Sequence, residues 1–147
     1  MTPLSPAEQS LLATARTATL ATIAPDGRPR LVPVCFVLAE DGARLWIALD
    51  EKPKSIADPR DLARVRDVLA RPEVTMLVDR WSEDWTGLAW LRLAGRASLV
   101  EPADVPAGIV ASLRAKYPQY ATHALESRPM LAVAIESRTS WGLDRPP

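Results

Sequence analysis

Lys52 and Lys54 stand on either side of a single proline, in a chain that has only three lysines. An arginine-rich segment follows directly, with Arg60, Arg64, Arg66 and Arg71. Both residue types are common ligands of phosphate, lysine as a mobile point charge and arginine as a planar fork. The cluster therefore predicts an anion site, although many charge runs are simply solvated surface.

Tryptophan is the second unusual residue type. Five of the eight aromatic residues are tryptophan, and Trp81, Trp85 and Trp90 fall within ten residues. An indole offers a large flat apolar face and one N–H donor, which suits cofactor walls and interfaces. Core or dimer packing explains Trp46 and Trp81 equally well. Trp85 lies in an acidic loop and is the better candidate for a wall.

Several mechanisms are disfavoured by what the chain lacks. His123 is the only histidine and Cys35 the only cysteine, so a multi-histidine metal site is impossible. Cys35 lies among apolar residues of a predicted strand, which favours a buried, unreactive thiol over a nucleophile. The six glycines are isolated and form neither a dinucleotide-binding fingerprint nor a P-loop. A nucleotide-like cofactor would have to be held in another way.

Composition excludes further classes of protein. A net charge of zero argues against nucleic acid as the main partner. The N-terminus lacks the pattern of a signal peptide, and no stretch is apolar enough to span a bilayer. A single cysteine suits a reducing compartment. We therefore expect one soluble, cytoplasmic domain over residues 1–147, without membrane or nucleic-acid partners.

Local signals indicate the elements that must position these residues. The pattern from Ser5 to Glu8 is that of a capping box and predicts a short helix over residues 5–15. Turn signals at residues 25–27 and 40–42 separate three predicted strands, 17–24, 29–38 and 45–49. The basic loop follows the third strand directly.

The rest of the chain alternates helices and strands. Two helices are predicted, 61–71 and 103–117, with Leu69 on the buried side of the first. Further strands are predicted at 74–78, 88–100 and 131–135. Gly95 indicates a bulge in the long strand. Six strands, tight turns and short flanking helices predict a mainly-β fold with α-helices, a six-stranded antiparallel barrel.

Several of these segments together resemble the pyridoxamine-phosphate-oxidase-like split barrels. The similarity rests on TLATI (residues 19–23), the PDGRP hairpin (25–29) and PVCFV (33–37). Lys54, followed by the LARVRD segment (62–67) and RPEV (71–74), is similar to the family's phosphate-binding loop and helix. Asp67 departs from the commonest pattern, in which an asparagine is found.

Two segments are similar to a narrower group. DEKPK (residues 50–54) and the pattern DW…WxRxxGxA (84–97) resemble an actinobacterial subgroup assigned to the deazaflavin coenzyme F420. The resemblance implies a six-stranded split barrel that forms a homodimer, with cofactor sites at the subunit interface. It implies an oxidoreductase that transfers a hydride between this cofactor and a small organic substrate.

The resemblance also implies which residues bind the cofactor. Lys52, Lys54 and Arg66 would hold its phosphate. Backbone groups along one strand would line the flat ring system, from Pro33, Val34, Cys35 and Phe36. Trp85, Trp90 and Trp141 would wall the remaining side, and Arg92 would be a further cofactor-binding residue. No residue needs to act as a catalytic nucleophile, because the cofactor carries the hydride chemistry.

Two alternatives stay open at this point. Split barrels also hold FMN, which would give an FMN-dependent oxidase or reductase. A non-enzymatic dimer that binds a cofactor or haem is the other alternative. For haem, His123 is the only histidine available as an axial ligand.

Overall fold

The structure is a computed structural model that describes residues 2–49 and 57–144. The predicted phosphate ligands Lys52 and Lys54 lie outside the described residues. Arg66, the third predicted ligand, lies within them.

The described residues form three α-helices and seven strands. In chain order these are α1 (Pro6–Thr14), β1 (Ala18–Ile23), β2 (Pro29–Val34), β3 (Phe36–Leu38), β4 (Arg44–Ala48), α2 (Ala63–Ala70), β5 (Glu73–Arg80), β6 (Ala89–Val100), α3 (Ile109–Lys116) and β7 (Met130–Trp141). Short 3₁₀ turns lie at Pro59–Asp61, Trp85–Gly87, Pro102–Asp104, Pro118–Thr122 and Leu125–Ser127. None of the described helices has the length and apolar character needed to cross a membrane.

The first helix begins where its capping signal predicts. The Ser5 hydroxyl accepts a hydrogen bond from the Glu8 amide at 3.1 Å, and the Glu8 carboxylate accepts one from the Ser5 amide at 2.8 Å. Glu8 also forms an ion pair of 2.8 Å with Arg138 in β7. The capping box therefore starts the helix and also fastens it to the last strand.

The strands form one antiparallel sheet in the order β2-β1-β5-β6-β7-β4-β3. The prediction of six strands was wrong, because the segment 29–38 is two strands and not one. The chain breaks at Cys35, so that β2 pairs with β1 while β3 pairs with β4. The two edges of the sheet are therefore consecutive in the chain. They converge at this corner, and the sheet curls as a split barrel does.

An irregularity lies at Gly95 between β6 and β7, but the bulge is in β7 and not in the long strand β6, where the sequence predicted it. Ala94 lies opposite Ser137 and Gly95 opposite Ile135, so the extra residue, Glu136, belongs to β7. A Cβ atom at Gly95 would lie 2.0 Å from the backbone oxygen of Ala134. Only glycine allows the two strands to approach this closely here.

The interior of the curled sheet is filled by apolar side chains. Strand residues such as Leu20, Phe36, Ile47 and Leu91 are fully buried there, together with Leu12 of α1. The curled antiparallel sheet with a packed interior is consistent with the predicted split barrel. It leaves no room inside for a large ligand.

A second apolar layer covers part of the outside of the sheet. Trp46 and Met130 are buried beneath Leu113 of α3 and Tyr120 and Leu125 of the following turns. Trp46 is therefore a core residue, which was one of its two predicted roles. The strands β3, β4 and the first half of β7 are sealed by this layer.

The rest of the outer face carries exposed apolar side chains. It comprises the outward-facing residues of β2, β1, β5, the first half of β6 and the second half of β7. Leu31 is 65% exposed, Leu77 40% and Trp141 42%. We call this surface the open face.

The corner at Cys35 is held by the C-terminal end of α3. The Tyr117 hydroxyl accepts a hydrogen bond from the Phe36 amide at 3.0 Å, and the Lys116 ammonium donates to the Phe36 carbonyl at 3.0 Å. Lys116 also donates to the Leu12 carbonyl of α1 at 2.9 Å. Burial, with the nearby Arg16 guanidinium, lowers the pKa of Lys116 to about 8. This lysine is part of the framework.

Helix α2 buries a different side from the one predicted. Val65 and Val68 are buried, whereas Leu69 is 62% exposed. The prediction for Leu69 was wrong because α2 also buries the polar Asp67, and the contacts of Asp67 fix the rotation of the helix.

Candidate functional site

Asp67 ties α2 to the first hairpin. Its side chain is 2% exposed, and its Oδ2 accepts hydrogen bonds from the Thr22 hydroxyl and the Arg30 Nε, both at 2.7 Å. Thr22 and Arg30 are direct neighbours across β1 and β2. One carboxylate therefore holds a helix and two strands in register.

The surroundings of Asp67 keep it ionised. Burial of its carboxyl raises its pKa, but hydrogen bonds from Arg30 and Thr22 and the charge of Arg66 outweigh this, so its pKa lies below the usual value. A buried carboxylate with charge-assisted partners is a strong and rigid anchor. The hydrogen bond that its Nε atom donates to Asp67 thereby fixes the orientation of the Arg30 guanidinium.

An arginine-lined cleft lies beside this anchor, which we call the arginine cleft. It has a volume of about 370 Å³ between the hairpin and α2. Three guanidinium groups line it, those of Arg30, Arg66 and Arg71, together with Asp67. Positive charge therefore exceeds negative charge in the cleft, as an anionic ligand requires.

Arg30 was missed by sequence reasoning, although a signal was present. Along β2 it shares one face with Val32 and Val34, which pack in the core, so its strand position faces inwards. Its side chain is 39% exposed, and its Nε atom reaches a buried carboxylate. Asp67 supplies that anion from 37 residues further along the chain.

Two of the three predicted wall tryptophans, with Arg92, come together at the other end of the open face. Trp90 lies directly opposite Trp141 across β6 and β7. The Arg92 guanidinium carbon lies 5.5 Å from the centre of the Trp90 ring, a cation–π contact. We call the neighbouring cleft, of about 380 Å³ and also lined by Trp81, the tryptophan cleft.

Trp85 does not join this group in the chain. It lies on the 3₁₀ turn Trp85–Gly87, is 69% exposed and is not among the residues that line the tryptophan cleft. The Asp84 carboxylate caps this turn by accepting hydrogen bonds from the amide and hydroxyl of Thr86, at 3.0 and 2.8 Å. The turn is locally ordered and presents the indole outwards.

The two clefts lie at opposite ends of the sheet. Ala21 pairs with Thr75, and the arginine cleft includes Ile23, two residues beyond Ala21. The tryptophan cleft includes Asp79, four residues beyond Thr75 in the opposite direction. At about 3.4 Å per residue the separation is roughly 20 Å. A single chain therefore does not bring Arg66 and the tryptophans onto one small ligand.

The segment predicted to line the cofactor ring forms the corner of the sheet. Pro33 is exposed on the open face and Cys35 is half-buried, whereas the side chains of Val34 and Phe36 are buried in the core. The Phe36 amide donates to Tyr117, so this residue contributes to holding the corner.

The single histidine lies away from the open face. His123 follows the turn Pro118–Thr122, and its ring centre is 5.4 Å from that of Tyr120, in the layer that covers the other half of the sheet. Within the described residues, no group of three or more His, Cys, Asp or Glu side chains is placed to hold a metal ion.

The curled antiparallel sheet, the filled interior and the two outer clefts define a split-barrel protein. The sequence matches the pyridoxamine 5'-phosphate oxidase family over residues 4–142, and the chain belongs to that family. Members of the family bind flavins or the deazaflavin in some cases, and they commonly form dimers. No curated protein matches the sequence.

Solved structures share the fold. Rv2991, a conserved hypothetical protein of Mycobacterium tuberculosis, has a TM-score of 0.74 at 20% identity, over 96% of this chain and 86% of that one. A protein named F420 reductase has a TM-score of 0.64 at 20% identity, over 89% and 94%. HutZ, the haem storage protein of Vibrio cholerae, has 0.65 at 17% identity, over 95% and 94%. At these identities the likeness shows the fold alone.

Replacing Asp67 by asparagine tests the anchor. We expect Asp67→Asn to lower the free energy of unfolding at pH 7 by about 2 kcal/mol, because the charge-assisted hydrogen bonds from Arg30 and Thr22 lose their ionised acceptor. Since folding lowers the pKa of Asp67, its contribution is fully present above the unfolded pKa of about 4 and is lost progressively as the pH falls through the lower folded pKa. The variant should therefore converge with the wild type at low pH.

Urea denaturation at pH 7 and at pH 3 measures both effects. The exposed Asp104→Asn is the matched control and should be nearly neutral at both values. An equal loss for Asp67→Asn at the two pH values would contradict this assignment.

Proposed function

We propose that this protein is an oxidoreductase dependent on the deazaflavin coenzyme F420, and that it transfers a hydride between this cofactor and a small organic substrate. The observation that carries the proposal is the arginine cleft, in which Asp67 fixes Arg30 beside Arg66 and Arg71. Such a cleft suits the phosphate and other anionic groups of a nucleotide-like cofactor.

Because the interior is packed, we expect the cofactor to bind outside the barrel. A flat ring system needs an apolar surface, and the open face offers one with Pro33, Leu77 and Trp90. Because this face is open to solvent in one chain, a second subunit is needed to complete the site. A homodimer would also bring the tryptophan cleft of one chain towards the arginine cleft of the other.

The residue roles follow from this arrangement. Arg66, with Arg30 and Arg71 as further cations, would hold the phosphate together with Lys52 and Lys54 of the neighbouring loop. The wall would consist of Trp90, Arg92 and Trp141, with exposed Trp85. The bound deazaflavin supplies the hydride chemistry, and the protein supplies orientation, charge and exclusion of water. We keep a cytoplasmic location as part of the proposal, since the sequence has a single cysteine.

FMN is the second candidate cofactor, because the chain belongs to a family named after pyridoxamine 5'-phosphate oxidase. Haem is a weaker candidate. HutZ shares the fold, but the only histidine of this chain packs against Tyr120 on the covered side of the sheet.

The choice of cofactor is tested by titration. We expect the purified protein to bind coenzyme F420 at least about tenfold more tightly than FMN, which corresponds to about 1.4 kcal/mol. The expectation rests on the subgroup resemblance of residues 50–54 and 84–97. Fluorescence titration with each cofactor, together with the absorption spectrum of the protein as purified, measures it. Tighter binding of FMN would contradict the deazaflavin proposal and make FMN the favoured cofactor.

Lys54→Ala tests the basic loop. Loss of a charge-assisted phosphate contact of about 1.5–3 kcal/mol should weaken cofactor binding roughly ten- to a hundredfold. Lys116 would be the obvious lysine control, but it holds the corner and is unsuitable. Arg28→Ala is the better control, because its side chain is 86% exposed at the hairpin turn. Similar, small effects of both substitutions would make the loop ordinary solvated surface.

Disrupting the open face tests the dimer. Leu77→Arg places a charge on this face and should give a monomer that binds cofactor poorly, because an unpaired charge at an interface is costly. Leu69→Arg is the control, since Leu69 is exposed on α2. Trp141→Ala should keep the dimer but weaken cofactor binding about tenfold.

Size-exclusion chromatography with light scattering measures the assembly, and fluorescence titration measures binding. A stable wild-type monomer that binds cofactor normally would refute the shared site. A normal affinity in Trp141→Ala would remove this residue from the wall.

A further inference from the structure

The corner between β2 and β3 has an unusual hydrogen-bonding arrangement. Strand β3 is an edge of the sheet, so the outward backbone groups of Phe36 have no strand to pair with. Side chains take their place. The Tyr117 hydroxyl accepts from the Phe36 amide at 3.0 Å, and the Lys116 ammonium donates to the Phe36 carbonyl at 3.0 Å. The backbone amide and carbonyl of Phe36 are thus both hydrogen-bonded by side chains at the C-terminal end of α3.

These side chains are themselves firmly held. Tyr117 is buried, and its hydroxyl donates to the Arg16 carbonyl at 2.9 Å, just before β1. The Arg16 guanidinium lies over the Tyr117 ring at 4.8 Å. Lys116 lies 3.8 Å from the centre of the Phe36 ring and donates to the Leu12 carbonyl at 2.9 Å. The corner is therefore connected to α1, to the start of β1 and to α3.

We infer that Tyr117 and Lys116 are positioning residues of the cofactor site. By fixing Phe36 they set the direction of the neighbouring peptide groups from Pro33 to Cys35. This inference rests on the proposed function, which places those groups against the cofactor ring. Neither side chain touches the cofactor in this arrangement, because Tyr117 lies in the second apolar layer, over the other part of the sheet, and the Lys116 ammonium donates to the Leu12 and Phe36 carbonyls.

The inference separates Tyr117 from an ordinary core tyrosine. Tyr120 belongs to the same buried layer, and its ring centre is 5.6 Å from that of Tyr117. The Tyr117 hydroxyl contacts the backbone of the corner. Its removal would leave the buried Phe36 amide without this hydrogen-bond acceptor. A purely structural role would make the two hydroxyls equivalent for cofactor binding.

Tyr117→Phe and the matched control Tyr120→Phe provide the test. Titration with coenzyme F420 and with FMN measures affinity, and hydrogen exchange measures the protection of the Phe36 amide. We expect Tyr117→Phe to weaken binding of whichever cofactor the wild type binds by about tenfold, the size of one hydrogen bond. Exchange of the Phe36 amide should accelerate, while Tyr120→Phe should leave both unchanged.

Lys116→Met and Lys116→Arg provide a second pair that does not depend on the first. The methionine variant should bind cofactor about tenfold more weakly, and the arginine variant, which keeps a donor for the Phe36 carbonyl, should recover most of the affinity. Should Tyr117→Phe fail to fold, this pair decides the question.

The outcomes are distinguishable. A wild-type protein that binds neither cofactor overturns the proposed function and this inference with it. Normal cofactor affinity in Tyr117→Phe, despite faster exchange at Phe36, overturns the positioning role alone. Equal affinities of Lys116→Met and Lys116→Arg would likewise overturn the positioning role of Lys116.

Discussion

The whole architecture depends on one constraint, the break of the chain at Cys35. A single residue separates β2 from β3, yet the two strands form opposite edges of the sheet. The sheet must therefore curl until its edges meet, and the curl encloses the apolar interior. The break leaves edge groups of Phe36 without strand partners, and the end of α3 satisfies them. The packing of α3 and the closure of the barrel are thus linked at Phe36.

The curl also divides the outer surface into two parts with different roles. The α3 layer covers β3, β4 and half of β7, where Trp46 is buried. The open face keeps Leu31, Leu77 and Trp141 exposed. An exposed apolar surface of this kind marks an interaction site. In our proposal it receives both the second subunit and the cofactor, so the uneven distribution of helices determines where function can occur.

A single buried carboxylate organises the charge in the arginine cleft. Asp67 is buried in α2 and takes up only part of the positive charge around it, so its bond to Arg30 fixes a guanidinium without neutralising the arginine cleft. A rigid cation loses little freedom when an anion binds, which favours binding. The resemblance of the helix to the family's phosphate-binding helix predicted Arg66 as a ligand, and Arg66 lines the arginine cleft. Asp67 departs from the family's usual asparagine. Its role depends on Thr22 and Arg30, which the fold brings to it from distant parts of the chain.

Local signals in the sequence predicted the features that depend on neighbouring residues: the Ser5 cap, the hairpin turns, the irregularity at Gly95 and most strand positions. Resemblance placed Trp85, Trp90, Arg92 and Trp141 in one group; the structure brings the last three together and leaves Trp85 apart. The folded chain was needed to reveal the break at Cys35, the exposure of Leu69, the partial burial of Lys116 and the partnership of Arg30 with Asp67. Each of these depends on contacts between residues far apart in the chain, and local propensity carries no information about such contacts.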